Sequence, residues 1–375
     1  MNLLIINLDK NIFKSGSTSL ERLKEYSKLV ENIFVIVWTR WKEDPIIYND
    51  KLFIYPTNSR CRLLYYWDSL RLARKIFKEK QIDLIFTQDP FETGLAGWFI
   101  SKMKKIPLQL QIHTDFLSPY FWQESLSNKF RVLLAKFLIP KAQTLRVVSE
   151  RIKNSVVSTF SFPVSRIFVL PIFVDVRAIQ AATGGVDLHK KYSQFNFIIL
   201  MASRFSKEKN IDLGIRTMGQ IVESYPQTGL IIVGSGPEEE KLKSLVEKKG
   251  LVKNIKFESW TKDIFSYYKS ADLFLLASNY EGYGLTVIEA MASGCPILMT
   301  DVGCAGETVK NEDSGLVVFV GDENNLSVVL KRVIEDKNLR ERIGLNGLKY
   351  VEGFNSVDRY LEIYKKSWES TNTKY

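Results

Sequence analysis

The 375-residue chain contains only three cysteines and two histidines. Cys61, Cys295 and Cys304 show no CxxC spacing and are too few for a disulfide framework or a structural zinc site. The composition therefore points to a reducing compartment and no metal. Long apolar runs are also missing: nowhere do about 18 apolar residues follow one another without charge, as a membrane-spanning helix requires. The short apolar run Met1–Leu8 has no basic n-region and no small-residue cleavage site, so it is expected to be a first β-strand and the protein cytoplasmic. The motifs HExxH, GxxxxGK[ST], GxSxG and DxD do not occur, nor does GxGxxG after the first strand. Hydrolase, P-loop NTPase and dehydrogenase readings lose their main support, as does a diphosphate held by metal through DxD.

What is present is an ordinary globular composition, 45% apolar and 25% charged, long enough for two domains of roughly 150 to 200 residues. The net charge of +10 is unevenly placed. Residues 1–190 carry 28 Lys and Arg against 17 Asp and Glu, and residues 191–375 carry 24 against 25. A basic half suggests an anionic membrane surface, an anionic substrate or nucleic acid, and the neutral half beside it argues against a nucleic-acid partner.

Short β-branched runs alternate with amphipathic stretches along the whole chain, the mark of βαβ winding around parallel sheets. Strands are expected at Leu3–Leu8, Ile33–Trp38, Leu52–Tyr55, Asp83–Thr87 and Leu108–Ile112, and the rhythm restarts at Phe195–Met201. Further strands are expected near Leu230–Val233, Ile255–Phe257, Asp272–Leu276, Ile297–Met299 and Leu316–Phe319. The expected organisation is α/β, with two Rossmann-like doubly wound domains facing each other across a cleft. Residues 1–180 form the first domain, 181–194 a linker containing Thr183-Gly184-Gly185, and 195–352 the second domain. Residues 353–375 form a final helix that packs back on the first domain.

Ligands in such sheets bind beyond the carboxyl ends of strands, and the chemistry-bearing residues fall there. After Asp272–Leu276 comes a glycine-rich turn that opens a helix, with Glu281, Gly282, Tyr283, Gly284, Leu285 and Thr286 in the turn and Glu289 further along. Backbone N–H groups at Gly284, Leu285 and Thr286 suit a phosphate. Glu289 lies among Val287, Ile288, Ala290, Met291 and Ala292, where a carboxylate needs a partner. After Phe195–Met201, Arg204 and Lys209 suit a diphosphate, Arg as a planar fork and Lys as a mobile point charge. The turn Gly234-Ser235-Gly236-Pro237 precedes three glutamates that already satisfy the helix dipole, so Gly234 is assigned to close packing beside a ligand. His113 ends the strand Leu108–Ile112. Gly16, in the loop Asp9–Thr18, either lies over the substrate or belongs to a cap of the next helix. His189 receives no role.

These residues resemble one family: the retaining glycosyltransferases of family 4, the group 1 transferases of GT-B fold. The resemblance is carried by Glu281 and Glu289 within EGYGLTVIEAMASGCPIL, by Arg204 and Lys209 in SRFSKEKN, by VGSGPEEEKL, and by PIFVD at Pro171–Asp175. It is close over residues 195–320 and looser before them. It implies that Arg204 and Lys209 neutralise the diphosphate of a nucleotide-sugar donor, UDP- or GDP-linked. Glu289 would bind the ribose hydroxyls, and Glu281 with Gly282 to Leu285 the sugar and phosphate. His113 would approach the transferred sugar, and Gly16 would stand near the diphosphate and acceptor. No metal and no cofactor are implied. The sequence departs from the family pattern at the first loop, which keeps only Gly16, at Ser259, and at Gly303-Cys304-Ala305-Gly306-Glu307.

The acceptor is expected on the first domain, as a lipid-linked or cell-surface glycan. The basic, aromatic segment from Arg60 to Lys80, with Lys102, Lys104 and Lys105, either rests on anionic lipid or is a solvated helix face over a Tyr and Trp core. Phe116 to Trp122 (FLSPYFW) is either an acceptor loop or core. Two other readings share the architecture, a sugar-nucleotide epimerase and a non-catalytic partner subunit.

Overall fold

The computed structural model describes residues 1–40, 42–354 and 356–372; Asn355 and residues 373–375 of the expected C-terminal segment lie outside them. The chain divides into two units.

The first unit comprises Met1–Leu117, Ser125–Pro171 and the segment from Val357 onward. Its eight strands are β1 (Asn2–Asn7), β2 (Asn32–Val37), β3 (Ile46–Tyr48), β4 (Leu52–Pro56), β5 (Leu84–Thr87), β6 (Leu108–Ile112), β7 (Thr144–Val147) and β8 (Ile167–Val169). They lie in the order β3-β4-β2-β1-β5-β6-β7-β8, parallel except for β3. Every residue of β2, β5, β6 and β7 is buried, as expected of a parallel sheet covered on both faces. Strand order reverses between β1 and β5, so the loops after them diverge there.

The helix Val357–Asn372 belongs to this unit. Tyr360, Tyr364, Trp368 and Thr371 recur at helical spacing and are buried. The ring of Tyr364 stacks on that of Tyr26 at 4.6 Å, and Trp368 is fully enclosed.

The second unit comprises Ser118–Glu124 and Ile172–Ser356. Its six strands are β9 (Phe197–Ala202), β10 (Thr228–Val233), β11 (Ile255–Glu258), β12 (Leu273–Leu276), β13 (Ile297–Thr300) and β14 (Leu316–Val318). All pairings are parallel, in the order β11-β10-β9-β12-β13-β14. The order reverses between β9 and β12, which brings the loops after these two strands side by side.

Residues 181–194 are not a free linker. The chain enters the second unit at Ile172, Leu188 is fully buried, and Val186 N–H donates to Ser266 Oγ at 3.0 Å. His189 Nε2 lies 3.1 Å from Asp272 Oδ2 at the start of β12. Polar anchoring of backbone to side chains replaces the missing strand periodicity in this segment.

Candidate functional site

The loops after β9 and β12 in the second unit gather most of the residues singled out in the sequence. Lys209 closes a short 3-10 turn, Lys207–Lys209, and Asn210 reverses the chain in the left-handed region at φ 47°. Asn279 N–H donates to the Glu208 carbonyl at 2.8 Å and ties the two loops together. Lys209 Nζ then reaches Glu281 Oε1 at 2.6 Å, and Ser278 Oγ donates to the same oxygen at 2.8 Å. Both charged side chains are largely shielded from water, 21% and 11% exposed. Arg204, on the loop between β9 and this turn, is exposed; its carbonyl accepts from Ser206 N–H at 3.0 Å, while its guanidinium makes no hydrogen bond or ion pair among the described residues.

Gly284 stands immediately before the helix Leu285–Ala292 at φ 98°, a conformation that favours glycine. Gly282 and Tyr283 are buried under it, and Tyr283 OH pairs with Thr308 Oγ1 at 2.9 Å. Gly303 is needed for a different reason: a Cβ there would overlap the Tyr283 carbonyl oxygen, which accepts from Cys304 N–H at 2.8 Å. The helix has no acidic residue in its first turn, so its unpaired N–H groups at Leu285 and Thr286 keep their full positive potential.

Glu289 sits one turn further along this helix. Among the described residues its carboxylate has one hydrogen-bond partner, Tyr268 OH, which donates to Oε2 at 3.4 Å. Burial pushes its carboxyl up to about 7, opposed by that hydroxyl. An acid so poised takes a hydroxyl donor readily, because each new donor favours its ionised form.

Gly234 and Gly236 pack against the Arg204 loop. A Cβ on either would overlap the backbone oxygen of Ser203 or Phe205, and Phe205 N–H donates to Ser235 O at 2.9 Å. The turn therefore supports the cationic loop from beneath.

The helix Pro119–Glu124 also belongs to this unit. Phe121 meets the Tyr280 ring at 5.4 Å, and Tyr280 OH donates to Glu124 Oε2 at 2.6 Å, bracing the residue next to Glu281. Phe116 and Phe121 of the FLSPYFW segment are buried, whereas Tyr120 and Trp122 are about two-fifths exposed (40% and 37%).

In the first unit, His113 follows β6. Its Nε2 lies 3.0 Å from Gln111 Oε1, which also accepts from Arg146 Nη1 at 3.1 Å. Gln111 Nε2 donates to Tyr364 OH at 2.7 Å. Arg146 can only donate, so the amide oxygen must face it, and His113 must donate from Nε2. Nδ1 is then a bare acceptor, closed off from water and without a partner among the described residues. Burial, with the charges of Arg146 and Arg22, pushes the imidazole pKa down to about 3, so the ring is neutral.

Gly16 follows β1 at φ 71°, and nothing lies within 4 Å of the position a Cβ would take. Ser17 next to it caps the helix Thr18–Ser27 by accepting from Leu20 N–H.

Asp89, after β5, went unremarked in the sequence. Its Oδ1 accepts from Phe91 N–H at 2.7 Å, Oδ2 has no partner among the described residues, and burial pushes the carboxyl up to about 6. Its place beside the β1/β5 reversal is the signal that would have found it.

Two family descriptions match the chain. "Glycosyl transferases group 1" covers residues 189–350 and "Glycosyltransferase Family 4" residues 26–178. Over 82% of the chain it is 27% identical to 81% of the UDP-Gal:alpha-D-GlcNAc-diphosphoundecaprenol alpha-1,3-galactosyltransferase of Escherichia coli. It is 25% identical to the alpha-monoglucosyldiacylglycerol synthase of Acholeplasma laidlawii, over 75% of each chain. Among solved structures, Anabaena Alr3699/HepE in complex with UDP and glucose superposes with a TM-score of 0.76 at 19% identity, covering 99% of this chain and all of that one. No helix among the described residues is long and apolar enough to cross a membrane.

Proposed function

Because the chain belongs to the family 4, group 1 glycosyltransferases and has their GT-B fold, we propose that it is a retaining hexosyltransferase. In this reading it moves a sugar from a UDP- or GDP-linked donor to a lipid-linked or cell-surface glycan. The observation that carries this is the Lys209–Glu281 pair beside the unpaired Arg204 and the Gly284 helix start. The galactosyltransferase relative names a diphosphoundecaprenol acceptor and the synthase a diacylglycerol product, which supports a lipid-linked acceptor here.

In the reaction, the bond between the anomeric carbon and the donor's diphosphate oxygen breaks, the acceptor's hydroxyl oxygen bonds to that carbon, and the hydroxyl proton passes to the departing diphosphate. Negative charge grows on the leaving diphosphate. Lys209 and the N–H groups of Leu285 and Thr286 are held in place to stabilise it, and the exposed Arg204 is free to close on it, supplying what a metal supplies elsewhere. Glu289 accepts from the ribose hydroxyls. Glu281, held by Lys209 and Ser278, presents its carboxylate to the sugar. In the first unit, His113 is assigned to the transferred sugar, and Gly16 to the loop near the diphosphate and acceptor. Gly234 holds the cationic loop in place.

The enzyme is read as peripheral on the inner face of the cell membrane. The helix Tyr65–Glu79 buries Tyr65, Ala73 and Ile76 and exposes Arg71, Arg74, Lys75 and Lys78, a face that anionic lipid attracts by about 1 kcal/mol per cation.

The test is turnover of a panel of UDP- and GDP-sugars with and without a lipid-linked glycan extract, in chelator. Nucleoside diphosphate release that needs the acceptor supports transfer. Conversion of the donor sugar without any acceptor supports an epimerase instead.

A further inference from the structure

The first unit presents an apolar strip that its own fold does not use. The helix Leu126–Leu138 buries Val132, Ala135 and Leu138, and exposes Leu126, Phe130, Leu133 and Phe137 at 82, 62, 56 and 44%. Spacings of four, three and four residues set these four along one face. The strip continues onto the neighbouring helix Glu92–Lys104. Phe137 meets Trp98 edge to face at 5.2 Å, Trp98 lies 4.9 Å from Phe99, and Phe99 and Met103 are 46 and 53% exposed. Single exposed apolar residues are ordinary, but a contiguous strip of this kind marks a contact surface.

The surrounding charge identifies what covers it. Lys102 stands over the Trp98 ring at 5.4 Å and Lys141 over Phe137 at 4.0 Å, so the rim of the strip is cationic. Glu92 is the one acid on the two helices, and Arg131 holds it at 2.8 Å. Where Tyr65–Glu79 and Glu92–Lys104 end, a cavity of about 570 Å³ is lined by four lysines, Lys78, Lys80, Lys104 and Lys105, against two acids, Glu79 and Asp83. Aromatic and leucine side chains flanked by lysines are the composition of a helix lying in a bilayer interface, with lysine stems over the apolar part and ammonium groups toward the headgroups. A protein partner fits less well, because interface cores are depleted of lysine, and a second copy would bring like charges together.

We propose that Leu126–Leu138, flanked by Phe99 and Met103, inserts into the headgroup layer of an anionic bilayer, and that the cations of the basic helix Tyr65–Glu79 draw the protein to it. This rests on the peripheral-membrane reading above and moves the point of insertion to a different helix. Flotation with phosphatidylcholine vesicles, with and without phosphatidylglycerol, at low and high salt, tests it on three proteins. These are the unaltered chain, Phe130→Ser with Leu133→Ser, and Arg71→Gln with Arg74→Gln and Lys75→Gln. The unaltered protein is expected on anionic vesicles, part of the binding surviving high salt. The apolar double variant is expected to lose about tenfold or more of its partitioning at either salt, and the basic variant mainly the salt-sensitive part. Equal binding by the double variant and the unaltered protein overturns the proposal. So does a lipid-free dimer in sedimentation velocity that the double variant lacks, which assigns the strip to a second copy. Near-ultraviolet circular dichroism and melting curves of the three proteins check that the exposed substitutions leave the first unit folded, and nucleotide calorimetry on the same samples checks the second. It also keeps a failure of the donor reading separate from a failure of the insertion face.

Discussion

Lys209 Nζ and Glu281 Oε1 are 2.6 Å apart although 72 residues separate them in sequence, and Ser278 Oγ donates to the same carboxylate oxygen. The pair joins the two loops at the point where strand order reverses. A cation that already neutralises one carboxylate is positioned, with its side-chain entropy spent, for a second anion. Lys209→Ala is expected to lower kcat by about 10²-fold or more while the protein stays folded, since charge stabilisation acts on the transition state. Steady-state kinetics beside a melting curve checks this. Full activity in the variant removes the diphosphate site.

Glu289 sets a pH dependence. Its carboxyl, pushed up to about 7 in the folded protein against a usual 4.5, binds a proton in the folded state where the unfolded chain has released it. Stability from this group is therefore full below 4.5 and falls as pH rises toward 7, by up to about 3 kcal/mol. Glu289→Gln is expected to flatten that fall in melts from pH 5 to pH 8. Nucleotide binding runs the other way, because ribose hydroxyls donate to the ionised form. Affinity should weaken by up to about tenfold per pH unit below the raised pKa, and the Gln variant should lose that slope.

His113 depends on its neighbours for its tautomer. Tyr364→Phe removes the hydroxyl that accepts from Gln111 Nε2, and Gln111→Leu removes the acceptor of His113 Nε2–H. Gln111→Leu also leaves Arg146 Nη1 without that partner. Both variants are expected to lower kcat more than they raise the nucleotide Kd, with Gln111→Leu the stronger. Nitrogen chemical shifts of the imidazole read the tautomer directly: a protonated Nε2 and a bare Nδ1 are predicted.

Two glycines in functional loops should differ sharply. Gly303→Ala pushes a methyl into the Tyr283 carbonyl at φ 55° and is expected to destabilise by about 2–3 kcal/mol. Gly16→Ala meets nothing within 4 Å and carries only the left-handed backbone cost of about 1–2 kcal/mol. Denaturant melts of the two variants compare them.

Most of this was legible in the residues. The apolar runs of β2, β5, β6, β9, β10, β12 and β13 announce themselves because these strands are buried on both faces. The run Thr144–Val147 does not, because Arg146 interrupts it, and only the fold shows that arginine sealed among Gln111, Leu170 and Tyr364. The strands β3 and β8 are short and mostly half-buried or exposed, so no apolar run marks them. Glu281, Glu289 and Lys209 were readable because a turn, a helix start and a strand end each leave a local signature. The bracing of Tyr280 by Glu124 was not, since that hydrogen bond spans 156 residues. The anchors of the segment 181–194 were not legible for a related reason: Ser266, Ser270 and Asp272 lie some 80 residues away in sequence.

Calorimetric titration with UDP, GDP and ADP, without and then with magnesium, tests the donor site most directly, the best ligand being repeated on Glu289→Ala. Micromolar binding of one nucleotide is expected, unchanged by magnesium and lost in the variant. Absence of binding by all three, or binding that Glu289→Ala leaves intact, would contradict it.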